Sequence, residues 1–300
     1  MKRFALPDFL TYAHKYQITN MMLVPPMVVA IVQAARQDEP FVRKCLSSVK
    51  AIVGGAAPLD SQTQAKLQEL LPADAAFTQI WAMTETTCMA CYLYYPENDD
   101  TGSVGRFMPN LDVKIIDPDP ESSGKEVSPY DTRGELCIRG PTVIKGYLDN
   151  PEANARDWDE DGYFHSGDIV YCDRKTKLWY VVDRKKELIK VRGFQVAPNE
   201  IEGILLSNSK IKDAAVIGIP DSATASEMPR AYIVKHPGPE SASLTEDEVK
   251  AWVTERLARY KELSGGVIFV EAIPKTPSGK ILKRQLREDA KKQMEARSRL

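Results

Sequence analysis

The period of the apolar positions changes along this chain, and each change predicts a different kind of structure. Phe9, Tyr12, Ala13 and Tyr16 recur at the spacing of one helix face, which predicts a helix near the start. The segment I-T-N-M-M-L-V-P-P then reads as a short strand that ends in a proline turn at Pro25 and Pro26. Val49 to Asp60, V-K-A-I-V-G-G-A-A-P-L-D, is a short apolar strand running into glycines. Asp60 is placed to cap a helix over S-Q-T-Q-A-K-L-Q-E-L-L. Strand, glycine turn and helix in that order form the unit of a parallel α/β sheet.

From about residue 102, and most clearly from Leu111, the texture changes. L-D-V-K-I-I-D, G-E-L-C-I-R-G and K-L-W-Y-V-V-D alternate or run β-branched, with loops such as D-P-D-P-E-S-S-G between them. This predicts a small antiparallel, barrel-like β subdomain. After Asp183 comes a compact α+β piece. N-E-I-E-G-I-L-L reads as an amphipathic helix, D-A-A-V-I-G-I-P and R-A-Y-I-V-K as strands, and G-V-I-F-V as the last strand. T-E-D-E-V-K-A-W-V-T-E-R-L reads as a helix opened by Thr245 with acidic residues in its first turn. The tail K-K-Q-M-E-A-R-S-R-L is mixed in sign and reads as a solvated helix end, not as a nucleic-acid patch.

Length and composition narrow the class. At 300 residues and 43% hydrophobic, the chain is long enough for more than one domain and apolar enough for a substantial core. Its net charge of −2 supplies no general attraction to nucleic acid or anionic lipid. The apolar run from Met21 to Val32 is broken by prolines and too short to span a bilayer, and it lies too far in for a signal peptide. Five cysteines, Cys45, Cys88, Cys91, Cys137 and Cys172, show no dense spacing, which suggests reduced thiols in an intracellular protein. Cys88-x-x-Cys91 has no second such pair and no neighbouring His, so packing is the expected role.

Several segments carry candidate chemistry. Gly55 and Ala56, after the strand, let backbone approach a flat ligand closely. In Q-I-W-A-M-T-E-T, Trp81 offers a face to a purine, Thr84 a hydroxyl to a phosphate, and Glu85 a hard oxygen to Mg²⁺. In Y-F-H-S-G-D, Gly167 makes a turn and Asp168 can accept hydrogen bonds from a ribose diol. In D-R-K-K-E-L-I-K-V-R-G-F-Q-V, Arg184 can fork onto ribose or phosphate oxygens. In P-K-T-P-S-G-K, Lys280 stands on a mobile glycine turn, a cation suited to charge that grows on the α-phosphate. Taken singly, each has a plainer reading. Trp81 is commoner as core, Glu85 as surface, Asp168 as a turn residue, His165 as a packed or exposed histidine, and Lys280 as one more exposed lysine.

Their order and spacing together are more specific. With G-A-A-P-L, M-T-E, G-E-L-C-I-R-G-P, G-Y-F-H-S-G-D, the A-P-N-E-I-E continuation and P-K-T-P-S-G-K-I-L-K-R, the chain resembles the acyl-adenylate-forming superfamily from about residue 1 to Arg287. The branch most alike is that of acyl-CoA synthetases, 4-coumarate–CoA ligases and luciferases. The resemblance implies an α/β fold: residues 1–183 as the C-terminal part of a large AMP-binding domain with its small β subdomain, and 184–300 as a mobile α+β domain. It implies ATP, Mg²⁺ and CoA, and a reaction in which a small carboxylic acid becomes an acyl-adenylate and then a CoA thioester. It places Trp81 beside adenine, Thr84 on phosphate, Glu85 on Mg²⁺, and Asp168 with Arg184 on ribose. Lys186 falls at the hinge, Lys190 and Gly193 at positions of the thioester step, and Lys280 at the lysine of adenylation. Val24, Met27, Gly55, Met83 and Cys88 are the expected wall of the acid pocket.

The sequence also departs from the family pattern. Trp81-Ala82 stands where the family has an aromatic residue followed by Gly. The Ser/Thr/Gly-rich phosphate loop ending in Pro-Lys-Gly does not occur, and Met1 resembles an internal methionine of a longer family member. Two other readings stay open: a non-catalytic remnant, and an adenylation domain that loads a carrier protein. Ser298-Arg299-Leu300 is a variant of the S-K-L signal and predicts a peroxisomal address through the import receptor, with the cytoplasm as the alternative.

Overall fold

The computed structural model describes residues 4–57, 59, 61–119, 122, 124–221, 226–276 and 279–297. The chain divides into two compact units, Met1–Val181 and Val182–Leu300. The division falls two residues before the expected boundary at 183/184, inside a strand.

The first unit opens with α1 (Leu6–Lys15), β1 (Asn20–Leu23), α2 (Pro25–Ala35), α3 (Glu39–Cys45), β2 (Ala51–Gly54), α4 (Ser61–Gln68) and β3 (Ala76–Gln79). The three strands form a parallel sheet in the order β1-β2-β3. Helix α1 buries Leu10 and Ala13 and leaves Tyr12 and Tyr16 exposed, so its inward face is turned from the one predicted. The expected proline turn is instead the start of α2. Pro25 and Pro26 occupy its first turn, where the missing N–H has no intrahelical partner to lose. Leu10, Val28, Ile31, Val42, Leu67 and the strand residues Met21, Ile52 and Phe77 close one core. Asp60, the expected cap of α4, lies outside the described residues.

The rest of this unit is antiparallel. Strands β4 (Trp81–Met83), β5 (Cys88–Tyr92) and β6 (Arg106–Phe107) form one small sheet. Strands β7 (Asp112–Ile116), β8 (Glu126–Val127), β9 (Gly134–Arg139), β10 (Phe164–Cys172) and β11 (Trp179–Arg184) form another, ordered β11-β10-β9-β7-β8, with α5 (Pro151–Asp157) before β10. Both sheets share one core that contains Trp81, Ala90, Cys91, Ile115, Leu136, Ile138, Phe164 and Val170. The β subdomain therefore begins near Trp81, about twenty residues before the predicted start at 102. Short strands with few alternating positions hid that beginning.

The second unit contains a hairpin, β12 (Ile189–Val191) and β13 (Phe194–Val196), followed by α6 (Pro198–Leu206), β14 (Ile211–Pro220), β15 (Glu227–Lys235), α7 (Pro239–Ala242), α8 (Glu246–Thr254), β16 (Val267–Phe269) and α9 (Lys283–Arg297). Strands β14 and β15 pair antiparallel, and β15 and β16 pair parallel. Alternate residues of β14 serve two faces. Ala214 and Val216 pack with Ile201, Leu205, Val249 and Val253. Ala215, Ile217 and Ile219 pack with Leu286 and Ala290 of α9. Among the described residues no helix is long and apolar enough to cross a membrane.

Candidate active site

Parallel register gathers one group of candidates. Leu23, Gly54 and Gln79 are aligned at the C-terminal ends of β1, β2 and β3, so the segments that follow them emerge at one edge of the sheet. Ligands of open α/β sheets bind at that edge. Val24 and Met27 follow β1, Gly55 and Ala56 follow β2, and Ile80 and Trp81 follow β3. Gly55 N donates to Leu23 O at 3.1 Å and Ile80 N to Gly54 O at 2.9 Å. A Cβ added at Gly55 would lie 3.0 Å from Ile80 Cγ1, so any larger residue there would press on the Ile80 side chain. Ala56 takes φ +74°, the left-handed region.

Two buried amides hold this edge, and the sequence reading did not single them out. The Gln79 side chain pairs with both backbone groups of Leu59: Nε2 donates to its carbonyl at 3.0 Å and Oε1 accepts from its N–H at 3.2 Å. Gln79 Nε2 also donates to Gln64 Oε1 at 2.9 Å, and Gln64 Nε2 donates to Phe77 O at 2.9 Å. The end of the glycine-bearing loop is thus fastened to the end of β3. A polar residue at the end of an apolar strand was the available signal.

Trp81 and Asp168, eighty-seven positions apart, are in direct contact: Nε1 donates to Asp168 Oδ2 at 2.8 Å. Ser166 Oγ also accepts from Asp168 N at 3.1 Å. The indole is 6% exposed, edge-on to Phe107 with centroids 5.9 Å apart. This corrects the expectation of an open stacking face. Trp81 is a core side chain whose polar edge orients a carboxylate, because a buried indole N–H needs an acceptor.

Glu85 lies in a 3-10 turn, Thr84–Thr86, with Thr84 exposed beside it. Tyr147 Oη donates to Glu85 Oε1 at 2.9 Å, and Ile144 N donates to Glu85 O at 2.8 Å. The Tyr147 hydroxyl is pushed up to about 12, first by burial and then by its bond to the Glu85 carboxylate. Among the described residues no group of three or more His, Cys, Asp or Glu is placed to hold a metal. Met83 is half-buried and Cys88 exposed. Cys88 therefore departs from the packing role expected of it, whereas Cys91 is buried and burial pushes its thiol up. No disulfide is formed by any of the five cysteines. His165 Nε2 lies 3.5 Å from Asp159 Oδ2, a carboxylate that Lys114 Nζ also approaches at 2.9 Å.

The remaining candidates belong to the second unit. Arg184 ends β11, and Lys186 is exposed in the 3-10 turn Lys185–Glu187. Lys190 is exposed on β12 with its backbone N–H donating to Glu227 Oε2 at 2.8 Å. Arg192 and Gly193 turn the β12–β13 hairpin with φ +48° and +87°, the positive pair that a two-residue hairpin favours. Lys280 is exposed on a turn closed by Thr276 N to Lys280 O and Gly279 N to Thr276 O, each 2.9 Å, and by Lys280 N to Thr276 Oγ1 at 3.1 Å. Pro277 and Ser278 of that turn lie outside the described residues.

Comparison with known proteins identifies the family and the fold. A family model described as AMP-binding enzyme matches residues 1–148, and a second, AMP-binding enzyme C-terminal domain, matches residues 200–280. An acyl-CoA synthetase of Alternaria alternata is 53% identical over 293 residues, covering 96% of this chain and 48% of that protein. A phenylacetyl-CoA ligase of Aspergillus niger is 50% identical over 288 residues, covering 96% and 52%. The crystal structure of ATP-bound MatB from Rhodopseudomonas palustris superposes with a TM-score of 0.83 at 27% identity, covering 96% of this chain and 54% of that one. The chain spans about half the length of the curated relatives it matches.

Proposed function

The chain belongs to the AMP-binding enzyme family, and we propose that it serves an acid–thiol ligase reaction that uses ATP and CoA. A carboxylate oxygen attacks the α-phosphorus of ATP, the bond to pyrophosphate breaks, and an acyl-adenylate results. The CoA thiolate then attacks the acyl carbon and AMP leaves. The observation that carries this reading is the Trp81–Asp168 bond, which joins two motifs far apart in sequence and orients the buried Asp168 carboxylate, the group proposed for the ribose diol. Arg184 is the second ribose group, Thr84 a phosphate donor, Lys280 the cation for the charge developing at the α-phosphate, and Lys190 with Gly193 belong to the thioester step. Lys186 is the hinge residue of this reading. A single carboxylate oriented by a tyrosine hydroxyl fits Mg²⁺, which takes one or two protein carboxylates and completes its shell with phosphate and water. Glu85 would hold that ion, which supplies charge neutralisation on the phosphates.

The test is acid-dependent exchange of labelled pyrophosphate into ATP, begun with arylacetic and cinnamic acids because one relative is a phenylacetyl-CoA ligase. Exchange well below the rate of full-length relatives is expected, since the sequence lacks the Ser/Thr/Gly-rich phosphate loop. Rates equal to theirs would remove that loop's role, and failure to bind ATP by calorimetry would overturn the reading. A peroxisomal destination is a separate proposal supported by Ser298-Arg299-Leu300, which lies outside the described residues. A fluorescent protein fused at the N-terminus should give puncta with a peroxisomal marker and become diffuse when Leu300 is removed. Diffuse signal with the tail intact would reject it.

A further inference from the structure

Three residues beyond Lys280, at the first position of α9, Lys283 is buried with its partner: Nζ lies 2.9 Å from Glu202 Oε1, and the side chains are 8% and 9% exposed. The same oxygen accepts from Val216 N of β14 at 2.8 Å. Asp183, 3% exposed, lies within the field of the same ammonium. Its carboxylate accepts from Arg184 N at 2.7 Å and from Asn199 N, in the first turn of α6, at 3.0 Å. Burial pushes both carboxyls up, and the charge of Lys283 opposes that shift in each. One turn along α9, Arg287 pairs with Glu187. The segment 183–187, helix α6, strand β14 and helix α9 therefore meet at one ionic cluster.

Such a cluster is a poor way to gain stability, because desolvating the charges offsets much of their attraction, and apolar residues of similar volume would hold α9 as well. What buried charges add is a fixed register. Here the register joins two short segments, each next to a group of the proposed reaction. Arg184 adjoins Asp183, and the Lys280 turn adjoins Lys283. We propose that Lys283 is a positioning residue that fixes the Lys280 turn against the Arg184 segment through Glu202 and Asp183. The idea rests on the ligase reading for its catalytic consequence but not for the placement itself, and the experiment separates the two.

Amide hydrogen exchange on the whole chain is compared for wild type, Lys283→Arg, Lys283→Met and the double variant Glu202→Gln/Lys283→Met. The double variant removes a charge of each sign and keeps a folded comparison available if the single Met variant does not fold. Exchange in peptides spanning 274–282 should quicken about tenfold in the double variant, while β14 and β15 keep their protection and Lys283→Arg restores the wild-type pattern. In pyrophosphate exchange, kcat should fall about tenfold with KM for ATP little changed, as misplacement of a transition-state cation requires. Unchanged protection over 274–282, or loosening spread evenly through the second unit, would overturn the placement. Normal kcat in a variant whose turn has loosened would overturn the positioning role. A wild type that shows the expected protection yet no acid-dependent exchange would sink the ligase reading and leave the placement standing.

Discussion

The indole of Trp81 and the carboxylate of Asp168 have separable roles although they share a hydrogen bond. The indole fills the β-subdomain core, and the carboxylate is the group proposed to meet ribose. Trp81→Phe keeps an aromatic filler and loses the donor, so it should destabilise by about 1–3 kcal/mol, read by denaturant unfolding, and alter ATP affinity only modestly. Asp168→Ala should lower ATP affinity by about tenfold or more in calorimetry. Equal losses of affinity in both would mean that the indole itself contacts the nucleotide. Lys280 is of another kind. It is exposed, so Lys280→Ala should leave unfolding unchanged while removing any pyrophosphate exchange, a loss on the order of 3 kcal/mol in the transition state.

At the scale of elements, starts and turns decide where side chains are presented. Helix α8 opens on a capping box in which Thr245 Oγ1 accepts from Glu248 N at 3.2 Å and Glu248 Oε2 accepts from Thr245 N at 2.8 Å. Thr245→Ala should cost about 1 kcal/mol in urea unfolding. Hydrogen bonds from the Thr245 backbone and then its hydroxyl hold the Glu248 carboxyl below its usual range. Because this acid is stronger folded than unfolded, its contribution is present above the ordinary glutamate range and is lost as pH falls through the folded value. Glu248→Gln should therefore flatten part of the loss of stability on acidification. A titration with identical slopes in the two proteins would show that the cap does not sense protonation.

At the scale of the molecule, each unit closes its own cores: the first around Ile52 and Phe77 and around Leu136 and Ile138, the second on the two faces of β14. Residues 182–300 are therefore expected to fold alone, with one cooperative transition and coincident circular dichroism and fluorescence midpoints. A non-cooperative melt would show that this unit needs the first for its core. Asp183, held by Asn199 N, and Glu187, paired with Arg287, flank Lys186 and belong to the second unit. Motion about Lys186 would have to break or carry those contacts.

The sequence by itself determined the family, the order of the motifs and the class of most elements, because those depend on local periods, caps and spacing. G-E-L-C-I-R-G became β9, N-E-I-E-G-I-L-L became α6, and Thr245 opened α8 as read. The inward face of α1, the helical role of Pro25 and Pro26, and the early start of the β subdomain were not legible. Each depends on which neighbours cover a residue, and a neighbour distant in sequence leaves no local period. The same holds for the candidate site. Asp168 and Glu85 were picked by residue type within motifs, but only the tertiary structure gave them Trp81 and Tyr147 as partners. Gln79, Gln64, Glu202 and Lys283 were not singled out in the sequence. Folding buried them, and a buried polar or charged group must find its partner across the chain, so their partners were set by packing and not by sequence.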